Sequence, residues 1–214
     1  GAASVQELRD AGYLPEAVRN YIALLGWSLD DSTTLVPTEQ MVAGFDLARV
    51  SKSPAVFDEQ KLRWMNGRYL RELPAEELTA RLERQLGREG LGPAVEITRE
   101  KIQTLDEFWP LSGFLLERQP TDEKAWAKVM DEGARERLSA AREVLAGVEP
   151  FDVESVEAAL GALPERLDVK PGKVYQPLRV AISGSTRSPG IFESVAVLGR
   201  DETLARVDDA LARL

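Results

Sequence analysis

Apolar residues recur at three- and four-residue spacing along most of this 214-residue chain, the period that gives a helix one buried face. Ser4-Val5-Gln6-Glu7 has the form of a capping box and predicts a short helix through Arg9 and Asp10, ended by Gly12. Pro15 suits the first turn of a second helix, with Val18, Tyr21, Ile22 and Leu25 on one face and Gly26 as its stop. After a polar loop over 28–37, Thr38 caps a segment whose Met41, Val42 and Phe45 face inward. Ser51-Lys52-Ser53-Pro54 reads as another loop. Asp58 then caps a helix carrying Leu62, Trp64, Met65, Tyr69 and Leu70. Pro74 opens a helix with Leu78, Leu82 and Leu86 in register, and glycines at 87, 90 and 92 break the chain. Residues 93–108 are helix-like, with Val95, Ile102 and Leu105 inward, and Trp109-Pro110 marks a stop. Further helical patterns cover 121–129, 134–145 and 153–163, and Asp201 caps a last one over 202–214.

One stretch does not resolve by period. Between 174 and 199, Val180, Ile182, Val195 and Val197 favour strand, and the glycine- and proline-rich turn between them could join a hairpin. Pro177 and Pro189, however, each sit where a helix could begin. Both readings stay open on the residues alone.

Composition narrows the chemistry. The chain has no cysteine and no histidine. Disulfides, thiolate metal sites, cysteine nucleophiles, zinc enzymes and Ser-His-Asp hydrolases are therefore excluded for it. No phosphate-cradling GxxxxGK[ST] loop occurs, and no GxGxxG follows a strand. Asp30-Asp31, Glu76-Glu77 and Asp208-Asp209 are sequence neighbours, which do not face one another on a helix. Ser183-Gly184-Ser185 lacks the spacing of a nucleophile elbow. No catalytic set and no metal site is expected. No apolar run approaches the ~20 residues of a membrane span and nothing resembles a signal peptide, so a cytoplasmic protein without membrane contact is expected.

Charge is distributed unevenly. The whole chain carries −9, yet residues 169–200 hold five bases (Lys170, Lys173, Arg179, Arg187 and Arg200) against one acid, Glu193. A local excess of cations on an acidic protein is the footprint of a nucleic-acid contact.

Three blocks then carry a family resemblance. They are Gly12-Tyr13-Leu14-Pro15-Glu16-Ala17-Val18-Arg19-Asn20-Tyr21-Ile22-Ala23-Leu24-Leu25-Gly26-Trp27-Ser28; Phe45-Asp46-Leu47-Ala48-Arg49-Val50-Ser51-Lys52-Ser53-Pro54-Ala55-Val56-Phe57-Asp58, with Lys61-Leu62-Arg63-Trp64-Met65-Asn66-Gly67-Arg68-Tyr69-Leu70-Arg71; and the segment 173–199. In this order the chain resembles the C-terminal part of a bacterial glutamyl-tRNA synthetase, a class I aminoacyl-tRNA synthetase. The resemblance implies an all-α fold: a stem-contact helical module over 1–73, a first anticodon-binding helical subdomain over 74–113 and a C-terminal one over 114–214, the last two forming an α-helical cage. It turns the open segment into a helix–turn–helix. It also implies that Ala3-Ser4-Val5-Gln6-Glu7 follows the family's lysine-rich activation loop. That loop and the HIGH-type signature are not in this sequence, so ATP and magnesium would belong to a catalytic domain outside it, and no cofactor is expected here.

The same resemblance implies site residues. Arg179, Ser188, Pro189 and Ile191 match positions that contact anticodon bases, and core packing is the other reading of Ile191. Splayed single-stranded bases can stack on guanidinium planes and apolar surface and be read at their edges. Lys52, Ser53, Trp64, Asn66, Arg68, Gln176 and Arg187 are implied as further tRNA contacts. For Trp64 the other reading is core, and for Asn66 and Arg68 it is a capping or solvated role. Where the family's strict enzymes carry an arginine that reads the third anticodon base, the alignment places Lys101, with Arg99 two residues earlier. Lysine lacks arginine's planar fork, so the implied partners are the glutamate tRNA and also the glutamine tRNA, bound by a monomer. The alternative, resting on the net acidity and charged helix faces, is a helical protein–protein interaction module without RNA binding.

Overall fold

Ser4 does cap the first helix: its hydroxyl accepts from the Glu7 N–H at 3.1 Å, and the Glu7 carboxylate accepts from the Ser4 N–H at 2.6 Å. The computed structural model describes residues 4–52 and 54–214, and among these there are helices and turns but no strand. They divide into two compact units, one made of the described residues up to 95 together with 99–108, the other of 96–98 and 109–214.

The first unit contains α1 (Val5–Asp10), α2 (Pro15–Leu24), α3 (Thr38–Gly44), α4 (Glu59–Glu72), α5 (Ala75–Leu86) and most of α6 (Gly92–Thr98). Pro15 occupies the first turn of α2, and Asp58 caps α4 by accepting from the Lys61 N–H at 3.0 Å. Tyr13, Tyr21, Leu62 and Met65 form one core, and Trp27, Val36 and Met41 a smaller one. The pattern misjudged one face. Ile22, Val42 and Phe45, expected inside, are 56, 75 and 53% exposed. Phe45 only leans on Trp27, with ring centroids 5.9 Å apart. The helix expected over 93–108 is also interrupted. The α6 helix ends at Thr98, and Thr104 opens a new turn through a capping box with Glu107, a signal present in Thr104-Leu105-Asp106-Glu107 itself.

The second unit follows α7 (Phe108–Ser112) with α8 (Glu123–Val129), α9 (Ala134–Ala146), α10 (Val153–Gly161), α11 (Leu163–Arg166), α12 (Pro171–Ser183), α13 (Ile191–Leu198) and α14 (Arg200–Arg213). Trp109-Pro110 does not stop a helix. Pro110 is the third residue of α7, where its missing N–H would have had no intrahelical partner. Nor does Asp201 cap α14, which begins at Arg200 with Gly199 in the cap position. Leu138, Leu145, Val156, Leu160, Leu163, Val174, Leu178, Val195 and Val207 build the core.

The segment left open by its pattern is helical on both sides of a turn, α12 and α13. Val180, Ile182 and Val195 are buried there, and burial outweighs the modest strand preference of β-branched residues. Pro177 starts nothing; it lies inside α12 and removes one backbone hydrogen bond. Its neighbours Val174, Leu178 and Ile182 are nearly or wholly buried, and that packing offsets the loss. Among the described residues no helix is long and apolar enough to cross a membrane.

Candidate nucleic-acid interface

The loop joining α12 to α13 is built by short-range constraints. Gly184 closes α12 in the left-handed region (φ 75°), its N–H donating to the Val180 carbonyl at 2.8 Å. Ser183 bridges the turn: its hydroxyl donates toward the Arg179 carbonyl (2.7 Å) and accepts from the Ser185 N–H (3.2 Å). Ser185 in turn accepts from the Arg187 N–H at 3.1 Å.

Arg179 lies beneath this loop. Its Nη1 donates to the Ser188 hydroxyl, to the Ser188 carbonyl at 3.2 Å and to the Pro189 carbonyl at 2.9 Å. Burial pushes the guanidinium below its ordinary pKa, opposed in part by the charge of Glu193. Arg179 and Ser188, both expected to touch bases, are thus brought together with each other. Pro189 and Ile191 are buried, so Ile191 packs in the core. Gln176 is half-buried on α12. Arg187 alone of these residues points out with an exposed side chain, and its guanidinium has no partner among the described residues.

The cationic excess of this segment is largely spent inside the protein. Lys173 pairs with Asp131 at 2.7 Å, and Arg137 pairs with the same carboxylate. These two cations hold Asp131 at about 2, down from 3.8, with the Lys173 bond the larger cause. Arg200 pairs with Glu149 at 2.7 Å. Lys170 and Arg187 remain without a partner among the described residues.

In the first unit the expected contacts separate. Asn66 is fully buried; its Oδ1 accepts from the Leu14 N–H at 2.7 Å and its Nδ2 donates to the Gln103 carbonyl at 2.5 Å. Both ends of the amide are thus occupied by backbone in the structure. Arg99 is likewise engaged, donating to the Arg71 carbonyl and, at 3.1 Å, to the Leu73 carbonyl, the free end of α4. Lys101, two residues on, is exposed. Trp64 is 43% exposed on α4 rather than core. Arg68, one helical turn later, is exposed and 3.9 Å from Glu72. Lys52 is exposed, and Ser53 lies outside the described residues. Trp109 and Gln119, which carry no motif and are not among the expected contacts, line a cavity beside Arg187; a tryptophan next to a proline at an element boundary was the available signal.

These elements define an all-helical protein whose second unit presents one polar, cation-bearing loop between two buried apolar helices. Residues 61–211 match the family described as "Anticodon binding domain", and the chain belongs to that family. Residues 2–64 match the family described as "tRNA synthetases class I (E and Q), catalytic domain". Relatives include the glutamate–tRNA ligase of Mycolicibacterium vanbaalenii, 41% identical over 93% of this chain and 42% of the relative, and that of Moorella thermoacetica, 38% identical over 98% and 46%. The crystal structure of a glutamate tRNA ligase from Elizabethkingia meningosepticum in complex with its amino acid superposes with a TM-score of 0.84 at 27% identity, over 97% of this chain and 43% of that one. The glutamate-tRNA synthetase of Elizabethkingia anophelis gives 0.79 at 26% identity. The chain spans just under half the length of the curated relatives it matches.

Proposed function

We propose that this chain recognises tRNA through its anticodon, as the C-terminal portion of a glutamate–tRNA ligase. One observation carries the proposal: within the segment matched to the anticodon-binding family, the loop after α12 is held from beneath by Arg179 and turns Arg187 outward. Arg187, Ser188 and Gln176 then serve the anticodon side, and Lys52, Trp64, Arg68 and Lys101 offer exposed contacts in the first unit. Arg179, Pro189 and Ile191 act from behind the loop. The chain contributes position rather than chemistry: holding the anticodon fixes where the distant acceptor end arrives. The ATP-dependent attachment of glutamate is assigned to the part of the relatives that this chain does not span. No cluster of three or more metal-ligating side chains occurs among the described residues, and no step for magnesium is placed on them.

Lys101 and Arg99 support a further part of the proposal, that the third anticodon base is read loosely and the glutamine tRNA is also accepted. Lys101 has no planar fork, and the fork of Arg99 is spent on the Arg71 and Leu73 carbonyls. Charging of both tRNAs by the full ligase tests this; a preference for the glutamate tRNA of about a thousandfold, roughly 4 kcal/mol, contradicts it. The main proposal is tested by binding of an anticodon stem-loop at low and high salt. Binding that weakens with salt and responds to anticodon changes supports it.

A protein–protein module is the second reading. It is favoured by the exposed Val42, Phe45, Leu47 and Val56, which bring large apolar side chains to one stretch of the first unit. Failure to bind any stem-loop at low salt, with a protein partner recovered through that stretch, decides for it.

A further inference from the structure

Arg206 is a charged side chain in the interior of the second unit, on α14 and 7% exposed. Its Nη1 donates to the Phe114 carbonyl at 2.8 Å and to the Ile182 carbonyl at 2.6 Å, and its Nε donates to the Glu202 carboxylate at 2.8 Å. Both carbonyls belong to element ends. Phe114 lies in the short turn Gly113–Leu115, and Ile182 is the last residue but one of α12. Carbonyls in the last turn of a helix have no intrahelical donor, and here one guanidinium nitrogen supplies both.

Packing alone does not hold this end of α12. Ala181, Ile182 and Gly184, with Thr121, Trp126 and Arg206, line a cavity of about 160 Å³. Atoms beside a void lack contacts on that side, so the direction of the last turn rests more on its polar bonds. Two of these reach it from other elements: Arg206 to the Ile182 carbonyl, and the Asp122 N–H to the Gly184 carbonyl at 2.9 Å.

The guanidinium is itself oriented from its own helix. Glu202, one turn earlier on α14, accepts from Arg206 and also from the Arg118 Nε at 2.8 Å, and Arg118 pairs in addition with Asp209, again on α14. A planar guanidinium fixes the directions of its three bonds at once, which a freely rotating ammonium does not. The direction of α14 is thereby passed to the end of α12. The loop that carries Arg187 and Ser188 starts two residues later, at Gly184. Arg179 braces that loop at Ser188 and Pro189, whereas Arg206 holds its root.

Resting on the anticodon reading proposed above, we infer that Arg206 is a positioning residue for discrimination among anticodons. It is buried and acts through α12, fixing the helix end from which the loop presents Arg187 and Ser188. A buried cation is not in general a source of stability; what this one supplies is a single direction for the loop. A loop displaced at its root still offers its charge to phosphates, but hydrogen bonds to base edges weaken steeply as their angles are lost.

The test uses the 214-residue chain, a glutamate-tRNA anticodon stem-loop and the same stem-loop with single anticodon bases changed, with binding read by fluorescence anisotropy. The readout is the ratio of affinities. The unaltered chain prefers the intact anticodon roughly tenfold. Arg206→Met compresses that preference to about threefold, while the salt dependence of binding, which reports phosphate contacts, stays the same. Arg206→Lys gives a ratio between the two. Two carbonyls lose their donor in Arg206→Met, so stability falls under a structural role and a positioning role alike, whereas only the second changes the ratio. Circular dichroism establishes that the variants are folded, and Arg206→Lys alone decides where Arg206→Met is not. An undiminished ratio in the deciding variant overturns the positioning role while tRNA recognition stands. No binding of any stem-loop by the unaltered chain, or binding without preference, overturns both.

Discussion

Arg179 anchors Ser188. A single guanidinium nitrogen on α12 gathers the hydroxyl and carbonyl of Ser188 and the carbonyl of Pro189, so a residue expected to read bases also braces the loop. Arg179→Ala removes these bonds, at about 0.5–1.5 kcal/mol each. Amide exchange over 185–190 in the free protein should speed up roughly thirtyfold, the equivalent of about 2 kcal/mol of local stability. Binding of the anticodon stem-loop should fall with it. Affinity lost with no change in exchange would make Arg179 a direct reader after all.

Asn66 is predicted to matter for stability rather than for RNA. Asn66→Ala strands the Leu14 N–H and the Gln103 carbonyl in the interior. At about 1–3 kcal/mol for each unpaired group, the expected loss is about 2–6 kcal/mol in urea denaturation. A variant of unchanged midpoint would mean that water replaces the amide.

Gly184 and Gly87 give a controlled comparison. Both adopt positive φ, 75° and 63°, but a Cβ at 87 meets nothing within 4 Å, whereas at 184 it meets the Pro120 carbonyl oxygen at 2.7 Å. Gly87→Ala should cost only the left-handed backbone penalty of about 1–2 kcal/mol. Gly184→Ala should cost more than that and also weaken stem-loop binding, each loss being read on the unfolding of the unit that carries it. Equal losses would show that the loop gives way.

Asp131 sets an acid limit. Its pKa in the folded chain is about 2 against an ordinary 3.8, lowered by Lys173 and then Arg137. The unfolded state therefore binds the proton first. The stabilisation is fully present above about pH 4 and is lost as pH falls from 3.8 towards 2. The carboxylate is 40% exposed, so solvent screening keeps the effect small. Asp131→Asn should flatten the stability–pH curve in that window and leave the rest of its shape alone; a curve that still falls as steeply there would assign the effect to other carboxylates.

Much of the fold could be read from local signals. Ser4, Pro15 and Asp58 each start a helix where their side chains demand it. The buried Leu62, Met65 and Leu70, and Leu78 with Leu82, follow the helical period. Phe45 and Val42 fit the same period and lie outside, because a period marks a face without saying what covers it. The site was less legible, for a reason of distance along the chain. Asn66 meets partners 52 and 37 residues away, and Arg99 a carbonyl 26 away. Nothing near either residue in sequence distinguishes a side chain committed to backbone from one free to meet RNA. Trp64 is singled out only by the family resemblance, Arg187 also by the local charge, and the exposure of both is a property of packing.

The pairing of Lys173 with Asp131 and of Arg200 with Glu149 has a consequence for thermodynamics. Paired cations release few ions from a polyanion when it binds, because their charge is already answered. Of the five bases between 169 and 200, Lys173 and Arg200 are ion-paired and Arg179 is held behind the loop by Ser188 and Pro189, so Lys170 and Arg187 are the ones exposed to displace condensed counterions. Their share of the slope of log K against log salt is then about −1.4 for single-stranded RNA. On the proposed reading, a grip of this kind would rest on shape and stacking and would weaken only gently as salt rises.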